Sequence, residues 1–337
     1  MESAESVQAL LTRQRDDAAR SQSRGPTVLI AGPTDAGKSS LCRKLIWKEL
    51  STKKRPILFA DLDIGQGEVS IPGTIGAAVI DPSFLSQIDT PDLEAFGEER
   101  LHPIVMFNPF VYYVGHTSMS EKEWLYQWFI KQLAARIAEK QSSDANLAAS
   151  GVVVNTCGWI EGRGYRLLLD GIRSFRPNLV IVMGDHKLYE QLLHESVSVV
   201  FLPRSPLVQT RSSSFRRQAR LSKIRDYFSR NLQPPMPFFQ VQVGIDAIKF
   251  YRFVQSNQPR HLVQVKREHI VETMAQKIVA MYAALANDQH LTSAKVLGFV
   301  CIRSIDLISK TVVFVSPCAG PLPSNSFVVG QVEWIEG

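Results

Sequence analysis

The chain has 337 residues, 45% of them apolar, so it can bury a large core in one big domain or in two. No apolar run approaches the length of a membrane span, and the N-terminus is polar, which argues against a membrane protein and against a secretory signal. The four cysteines are scattered without the spacing of metal ligands and fit a reducing compartment, cytosol or nucleus.

The net charge of +6 is concentrated in one segment. Residues 204–230 contain eight basic side chains and one acidic side chain, a net of +7, which leaves −1 for the rest of the chain. The protein is therefore not basic overall, but it carries one basic element.

Residues 1–25 are rich in Gln, Ser, Arg and Asp. They allow two interpretations, a flexible N-terminal tail or an interaction arm with a short amphipathic helix around Val7 to Leu11. The composition favours the flexible tail, because polar chain termini are commonly poorly ordered.

Residues 26–50 predict a strand, a phosphate-binding loop and a helix, in that order. The pattern of glycine, four residues, glycine, lysine and hydroxyl after an apolar strand is a complete P-loop. Its glycines let backbone N–H groups curl around an anion, and its lysine adds a charge for the β- and γ-phosphates. Its hydroxyl is placed to hold Mg²⁺, and the dipole of the following helix faces the phosphates. The predicted nucleotide-binding residues are Gly32, Pro33, Thr34, Asp35, Ala36, Gly37, Lys38, Ser39 and Ser40.

Short apolar runs alternate with helical stretches from residue 26 to about residue 202. Because the strands are continuously apolar and separated by helices, they predict an α/β fold, a P-loop NTPase with a mostly parallel, doubly wound sheet. Ligands then bind at the carboxyl ends of the strands. The candidate strands are Thr27–Ala31, Ile57–Asp61, Phe110–Val114, Gly151–Asn155, Leu179–Met183 and Val197–Leu202. The candidate helices are Met119–Lys140, Gly164–Phe175 and His186–Glu195.

A Pro-rich break at residues 231–237 predicts a domain boundary. The P-loop domain then covers residues 26–235, with the basic segment 204–230 near its end, and residues 236–337 form a small C-terminal α+β domain. Within that domain Val271–Ala284 predicts a helix and the other apolar stretches predict strands. The C-terminal domain shows no chemical motif of its own.

Two aspartates follow the second predicted strand. Asp61 and Asp63 lie two residues apart at its carboxyl end, where a P-loop enzyme needs a carboxylate for the Mg²⁺ shell or for an attacking hydroxyl. The alternative is that one of them only caps the turn. The sequence therefore predicts that at least one of the two is catalytic.

The motifs around these aspartates resemble the Clp-type polynucleotide 5′-hydroxyl kinases. The likeness rests on Asp61-Leu62-Asp63-Ile64-Gly65-Gln66-Gly67, followed by Ser70-Ile71-Pro72-Gly73-Thr74, and on Asn155-Thr156-Cys157-Gly158-Trp159. It covers residue 26 to the C-terminus in motif order, and it is nearest to the RNA kinase subunit of the eukaryotic mRNA 3′-end cleavage factor. Motifs of this length in this order are more selective than a P-loop alone.

The resemblance implies ATP-dependent phosphorylation of an RNA 5′-hydroxyl, with ATP and Mg²⁺ as cofactors. Lys38 takes the phosphate role, Ser39 and Asp61 the Mg²⁺ role, and Asp63 or else Asp61 becomes the general base. The motif match does not rank the two aspartates.

The resemblance also implies which residues contact RNA. The segment Thr156, Cys157, Gly158 and Trp159 matches a clasp in which an aromatic face stacks a base. A Trp after an apolar strand is more often a core residue, but the glycine directly before it favours exposure to the cleft. Gln66 belongs to the same predicted surface. Thr117, in the loop Gly115–Ser118, could bind phosphate, whereas its neighbour His116 could equally be a helix neighbour.

The basic segment resembles the family's lid. By this likeness Arg216 stabilises the charge of the transferred phosphate, with Arg211, Arg217 and Arg220 in support. The alternative is a solvated basic helix that steers RNA phosphates without touching ATP.

The relatives carry a β-rich domain before the P-loop, which by the resemblance helps to hold adenine, and only two dozen residues precede Gly25 here. We expect a nuclear RNA 5′-hydroxyl kinase of pre-mRNA 3′-end cleavage and polyadenylation, and by the same likeness of tRNA splicing. Its partners are 5′-hydroxyl RNA and other cleavage-factor subunits. The main alternative is a catalytically silent ATP-binding scaffold subunit, and a weaker one is a generic P-loop motor.

Overall fold

A computed structural model describes residues 3–83, 107–206, 208–229, 238–255, 261–266, 269–270, 272–283 and 295–334. The chain forms two compact units. The first unit comprises Met1–Asp63, Ile75–Phe110 and Gln127–Ser213, and the second comprises Ile64–Thr74, Val111–Tyr126 and Ser214–Gly337. The predicted Pro-rich break at residues 231–237 lies outside the described residues.

The N-terminal segment is a helix, α1 (Ala4–Ser21), so the prediction of a flexible tail is wrong. The helix begins with a capping box, in which Ser6 N donates to Ser3 Oγ over 3.1 Å and Ser3 N donates to Ser6 Oγ over 2.9 Å. One face of α1 is buried in the first unit, through Val7 and Leu11 among others. The polar average composition of the segment concealed an apolar stripe along one face of the helix. Burial of this stripe packs the helix against the rest of the first unit.

The first sheet contains seven strands in the order β4-β3-β2-β5-β1-β6-β7. The strands β2, β5, β1, β6 and β7 are parallel, and β3 is antiparallel to β2. The mostly parallel sheet of a P-loop fold is therefore confirmed, although β3 has no counterpart among the predicted strands. The bounds are Thr27–Ala31 (β1), Ile57–Asp61 (β2), Thr74–Ile80 (β3), Phe107–Tyr113 (β4), Val152–Asn155 (β5), Leu179–Met183 (β6) and Val199–Leu202 (β7).

Helices connect these strands. They are α2 (Lys38–Lys53), α3 (Glu123–Ser142), α4 (Ala145–Ser150), α5 (Arg163–Phe175) and α6 (His186–Leu193). The crossovers β1–α2–β2 and β5–α5–β6 run in opposite directions along the sheet, so right-handed connections place α2 and α5 on opposite faces. Among the described residues, no helix is both long and apolar enough to span a membrane.

The central position of β1 decides where a site forms. β1 lies between β5 and β6, and β2 lies on the far side of β5. The carboxyl ends of β1, β2 and β5 therefore meet at one edge of the sheet.

The second unit is built on another seven-stranded sheet, in the order β10-β9-β14-β11-β12-β13-β8. Adjacent strands in this sheet are antiparallel, except that β14 and β9 are parallel. Phe250, Phe314 and Phe327 form its aromatic centre, within a larger buried cluster. The strands are Phe239–Gly244 (β8), Lys249–Val254 (β9), His261–Gln264 (β10), Lys277–Tyr282 (β11), Val296–Asp306 (β12), Thr311–Ser316 (β13) and Ser326–Glu333 (β14).

The prediction of a helix over Val271–Ala284 is wrong, because Lys277–Tyr282 form β11. This strand lies between β12 and β14 and pairs with both. Pairing on both edges overrides the helical spacing of its apolar residues. Most of the basic segment forms a helix, α7 (Ser213–Ser229).

Candidate nucleotide and phosphate-transfer site

The P-loop joins β1 to α2, and its two glycines are required by the backbone. Gly32 has φ +147°, and a Cβ there would collide with the Met183 carbonyl at the end of β6. Gly37 has φ +92°, and a Cβ there would lie 3.1 Å from Val208 Cγ2. Only glycine fits this curl without strain or collision, so the loop has the shape that a phosphate cradle requires.

Lys38 is the first residue of α2, and its side chain is buried. Its Nζ donates to the Pro33 carbonyl over 2.8 Å, so the ammonium lies over the loop itself. Burial lowers the pKa of Lys38, and the strongest opposing influence is the Asp63 carboxylate. A partly desolvated cation next to the loop is suited to compensate the charge of a bound phosphate.

Asn155, the last residue of β5, connects the two halves of the site, although it had no predicted role in the motif that contains it. It is fully buried, and its Nδ2 donates to Asp61 Oδ1 over 2.9 Å. The same amide nitrogen lies 3.4 Å from Ser39 Oγ. A polar residue that ends a run of three valines was the available signal, because such a residue must find buried partners.

Asp61 and Asp63 have different surroundings. Asp61 is 1% exposed, and its Oδ1 also accepts from the Asp63 backbone N–H over 3.1 Å, so it caps the turn as well as contacting Asn155. Asp63 is partly exposed, and its charge acts on Lys38. Asp61 is thus buried at the end of β2, while Asp63 is partly exposed and acts on Lys38.

The oxygen atoms of this cluster fit Mg²⁺. Ser39 and Asp61 offer a hydroxyl and a carboxylate that share Asn155 as a partner. Mg²⁺ is commonly held by one or two such protein ligands together with substrate phosphates and waters. Among the described residues no group of three or more His, Cys, Asp and Glu side chains could hold a metal.

The loop after β5 lies against the P-loop. A Cβ on Gly158 would meet Thr34 N at 2.5 Å and Thr34 Cα at 2.6 Å, so this contact requires a glycine. Thr156 is buried and its hydroxyl donates to the Ile30 carbonyl over 2.7 Å, which ties the loop to β1. Burial raises the pKa of Cys157 to about 12, so it stays a thiol at neutral pH.

Trp159 is partly buried in the loop between β5 and α5. A Cβ on Gly164 would lie 2.5 Å from Trp159 Cγ, and the Arg163 guanidinium carbon lies 6.0 Å from the centre of the Trp159 ring. The ring therefore packs on the helix without being enclosed in the core. Its contact with RNA stays a prediction.

Arg211 also reaches the P-loop, through its backbone. Its N–H donates to Asp35 Oδ2 over 3.0 Å, and Asp35 itself has a positive φ of 57°. The first unit thus brings together the P-loop, the two aspartates, residues 156–159 and Arg211. The predicted residues Gln66, Thr117 and Arg216 belong to the second unit.

The surroundings of these three residues differ. Thr117 is exposed and Gln66 and Arg216 are partly exposed. His116, next to Thr117, is partly buried, and its pKa is lowered by burial first and by Lys122 second. The neutral imidazole is therefore favoured at this position.

Family models match most of the chain. Residues 32–230 match the model described as the P-loop of mRNA cleavage and polyadenylation factor CLP1. Residues 235–336 match the model described as pre-mRNA cleavage complex II protein Clp1. The P-loop match contains every residue of the site built above.

Curated relatives agree with these models. The chain is 31% identical to the protein CLP1 homolog of Culex quinquefasciatus over 340 residues, which cover 97% of this chain and 77% of that protein. It is also 31% identical to the homolog of Drosophila mojavensis over 336 residues, which cover 95% and 75%.

Two solved structures share the fold. A wild-type Clp1p–Pcf11p complex has a TM-score of 0.81 at 20% identity and covers 99% of this chain and 79% of that one. A second structure describes the extended interface between Pcf11p and Clp1p and the basis of ATP loss in a glycine-to-arginine mutant. It also has a TM-score of 0.81, and the match covers 99% of this chain and 80% of that one. Together with the family models and relatives, this shows that the chain belongs to the Clp1 family of mRNA cleavage and polyadenylation factors.

Proposed function

We propose that this protein is a nuclear, ATP- and Mg²⁺-dependent kinase that phosphorylates RNA 5′-hydroxyl ends in mRNA 3′-end processing, and by the same family likeness in tRNA splicing. Its partners are then 5′-hydroxyl RNA and other subunits of the cleavage factor, among which the Clp1p–Pcf11p complex makes a Pcf11-like subunit the first candidate.

One observation carries the kinase proposal: the site contains two strand-end carboxylates that differ in burial and in their contacts. Asp61 is buried and bound to Asn155, whereas Asp63 is partly exposed and close enough to influence Lys38. Holding a nucleotide needs only the first of these. A second carboxylate that is partly exposed beside the P-loop lysine is suited to take a proton from an incoming hydroxyl.

The proposed reaction is an in-line transfer. The RNA 5′-oxygen loses its proton to Asp63 and attacks the γ-phosphorus of ATP, while the bond between that phosphorus and the β–γ bridging oxygen breaks and ADP leaves. Lys38 compensates the charge on the β- and γ-phosphates, and Asn155 holds Asp61 and Ser39 in place. Mg²⁺ bound at Ser39 and Asp61 would supply further compensation of phosphate charge. Arg216 and Arg211 are the proposed cations for the transferred phosphate.

The RNA side of the proposal uses residues 156–159, Gln66 and Thr117. Trp159 offers a partly exposed aromatic face on which a base can stack. Gly158 lies against Thr34 of the P-loop, so the stacking residue is adjacent to the nucleotide cradle.

A scaffold role is the second candidate, and the solved relatives favour it. One solved relative is a complex of Clp1p with Pcf11p, and the other concerns the Pcf11p–Clp1p interface and ATP loss in a point mutant. Both concern binding and assembly. In this case ATP would stabilise the first unit without being consumed.

Transfer of labelled γ-phosphate from ATP to a short 5′-hydroxyl RNA separates the two candidates. For Asp63→Asn we expect a loss of at least about 100-fold in transfer rate with ATP affinity nearly unchanged, because a general base typically contributes 10²–10⁴-fold. Lys38→Ala should lose ATP affinity as well.

Asp81→Asn is the control for removing a strand-end carboxylate outside the site. Asp81 Oδ1 accepts from the Ser83 backbone N–H over 2.9 Å, the same turn-capping bond that Asp61 makes, but at the exposed end of β3. It should transfer at the wild-type rate. Wild-type protein that binds ATP and RNA yet transfers no phosphate would establish the scaffold role instead.

A further inference from the structure

Three segments that follow strands of the first sheet belong to the second unit. They are Ile64–Thr74 after β2, Val111–Tyr126 around the end of β4, and the main part of α7. They carry Gln66, Thr117 and Arg216, the residues proposed above for the RNA and for the transferred phosphate. The C-terminal sheet, which has no motif of its own, is what these segments contact within their unit.

The segment before Thr117 lies directly on the backbone of β14. Gln331 N donates to the Gly115 carbonyl over 2.6 Å. A Cβ on Gly330 would lie 2.5 Å from Gly115 Cα and 2.6 Å from Tyr113 Oη, so two glycines meet with no side chain between them. The Tyr113 hydroxyl in turn donates to the Ile278 carbonyl of β11 over 2.7 Å.

The loop that carries Gln66 is bound to the same place. Val114 N and Gly115 N both donate to the Gly73 carbonyl, over 2.9 Å and 3.0 Å, and Gly73 N donates to the Ile64 carbonyl over 2.8 Å. A Cβ on Gly73 would lie 2.5 Å from Val332 Cγ2 of β14. Both loops are therefore held to each other and to one strand.

Helix α7 is fixed at its C-terminal half. Phe299 N of β12 donates to Tyr227 Oη over 2.9 Å, and the rings of Phe228 and Trp334 stack with centres 4.5 Å apart. Farther towards the start of the helix, Lys223 Nζ donates to Glu68 Oε1 over 2.7 Å and to the Gly67 carbonyl over 3.3 Å.

The Lys223–Glu68 pair is well placed to transmit position. The Glu68 side chain is 6% exposed and the Lys223 side chain is 30% exposed, so the pair is shielded more than an ordinary surface pair. Gly67 and Glu68 are the next residues after Gln66, so the basic helix is coupled to the loop that carries it.

We propose that the C-terminal sheet is a platform that positions the RNA-binding loops, with Gly330 and the Glu68–Lys223 pair as positioning residues. This inference rests on the proposed function, because it takes the acceptor to be RNA. Backbone contacts without intervening side chains are stiff, so a displacement of β14 passes directly to the loop before Thr117. Small displacements of binding groups lower affinity and rate steeply.

The test compares Gly330→Ala with Gly244→Ala. A methyl group at Gly330 would collide with backbone, whereas Gly244, on the same sheet, has nothing within 4 Å of an added Cβ. We expect Gly330→Ala to raise the Kd for a 5′-hydroxyl RNA about tenfold, because small misplacements of binding groups weaken binding steeply. The Kd for ATP should stay within about twofold of wild type in both variants, since the P-loop belongs to the first unit.

Glu68→Ala separates positioning from simple charge. If Lys223 only attracts RNA phosphates, removal of an acidic residue should leave RNA affinity unchanged or raise it. The platform predicts the opposite, a loss of several-fold, with Lys223→Arg closer to wild type than Lys223→Met because arginine can still donate to Glu68.

Thermal melting of each variant confirms that it is folded. Folded Gly330→Ala and Glu68→Ala proteins with wild-type RNA affinity, or with equal losses of RNA and ATP affinity, would overturn the platform. RNA affinity is measured without phosphate transfer, so a wild-type protein that fails to transfer phosphate would refute the kinase and leave this test intact.

Discussion

At the scale of single residues, the site depends on an amide, Asn155, for which its motif predicted no role. Asn155 donates to Asp61 over 2.9 Å and lies 3.4 Å from Ser39, so it fixes a carboxylate from β2 and a hydroxyl from α2 with one side chain. Leu62 N also donates to the Asn155 carbonyl over 2.9 Å, which binds the chain next to Asp61 to the end of β5.

Asn155→Ala should therefore impair both stability and Mg²⁺-dependent binding. Loss of the donor leaves a buried carboxylate with one partner fewer, which typically costs about 1–3 kcal/mol of unfolding free energy. ATP affinity measured calorimetrically with Mg²⁺ should fall, whereas affinity measured with EDTA should change little.

Asn178→Ala serves as the comparison for this prediction. Asn178 Oδ1 accepts from Thr27 N over 2.8 Å at the amino end of β1, away from the P-loop. It should lower stability slightly and leave ATP affinity unchanged with and without Mg²⁺. An Asn155→Ala protein with wild-type affinity under both conditions would show that the bridge has no role in binding.

At the residue scale, the sequence proposes site residues where the spacing of residue types is typical of a known chemistry. The P-loop, Asp61 and Asp63 are recognisable because phosphate and Mg²⁺ require fixed residue types at fixed intervals. Asn155 could not be found in that way, since its partners are 94 and 116 residues away and only strand order brings them together. The different surroundings of Asp61 and Asp63 likewise depend on burial, which cannot be read from residue spacing.

At the scale of elements, long apolar strands were the easiest to predict. The strands β1, β2 and β6 match their predicted bounds because they are buried on both faces and punctuated by turns. β3 was missed because its centre, Gly76-Ala77-Ala78, is poor in β-branched residues and is held by pairing with β2.

Helix α1 is the element that the sequence most misrepresented. Its burial centres on a salt bridge between Arg15 and Glu49 of α2, 3.3 Å apart, whose side chains are both fully buried. Arg15 Nε also donates to the Ser150 carbonyl over 2.9 Å. Burial lowers the pKa of Arg15, and the Glu49 carboxylate opposes this shift. The buried guanidinium therefore needs Glu49 to offset the free-energy cost of removing its charge from water.

Glu49→Leu should destabilise the protein by about 3–5 kcal/mol, the usual result of leaving one buried charge without its partner. The double variant Arg15→Met with Glu49→Leu should recover much of this loss, because both charges are then absent. Denaturant unfolding of the single and double variants measures the difference.

Arg20→Met provides the control on the same helix. Arg20 pairs with Asp17, but the two side chains are 76% and 57% exposed, so its loss should be within experimental error. If Glu49→Leu is no more harmful than Arg20→Met, α1 is not held by its buried pair.

At the scale of the whole molecule, the two units divide the proposed work. The first holds the P-loop, both aspartates and residues 156–159, and the second holds Gln66, Thr117 and Arg216. This division does not follow the sequence order, because Ile64–Thr74 and Val111–Tyr126 are inserted in the chain of the first unit yet belong to the second. No local sequence pattern indicates that these two segments belong to the second unit. The sequence therefore assigned no chemical motif to the C-terminal domain.

The division predicts distinct footprints in hydrogen exchange on the full-length chain. ATP with Mg²⁺ should slow exchange in residues 32–39 and at the Arg211 N–H, which donates to Asp35. A 5′-hydroxyl RNA should instead slow exchange in residues 64–74, 111–126 and the first half of α7. The loop 156–159 should respond to both ligands, since Gly158 lies against Thr34 and Trp159 offers a face to RNA.

Lys38→Ala sharpens this comparison, because it should remove the ATP footprint and preserve the RNA footprint. The physical reason is that Lys38 is buried against the P-loop carbonyl of Pro33 and belongs to the first unit alone. Identical footprints for the two ligands in wild-type protein, or loss of the RNA footprint in Lys38→Ala, would contradict a division of donor and acceptor between the units.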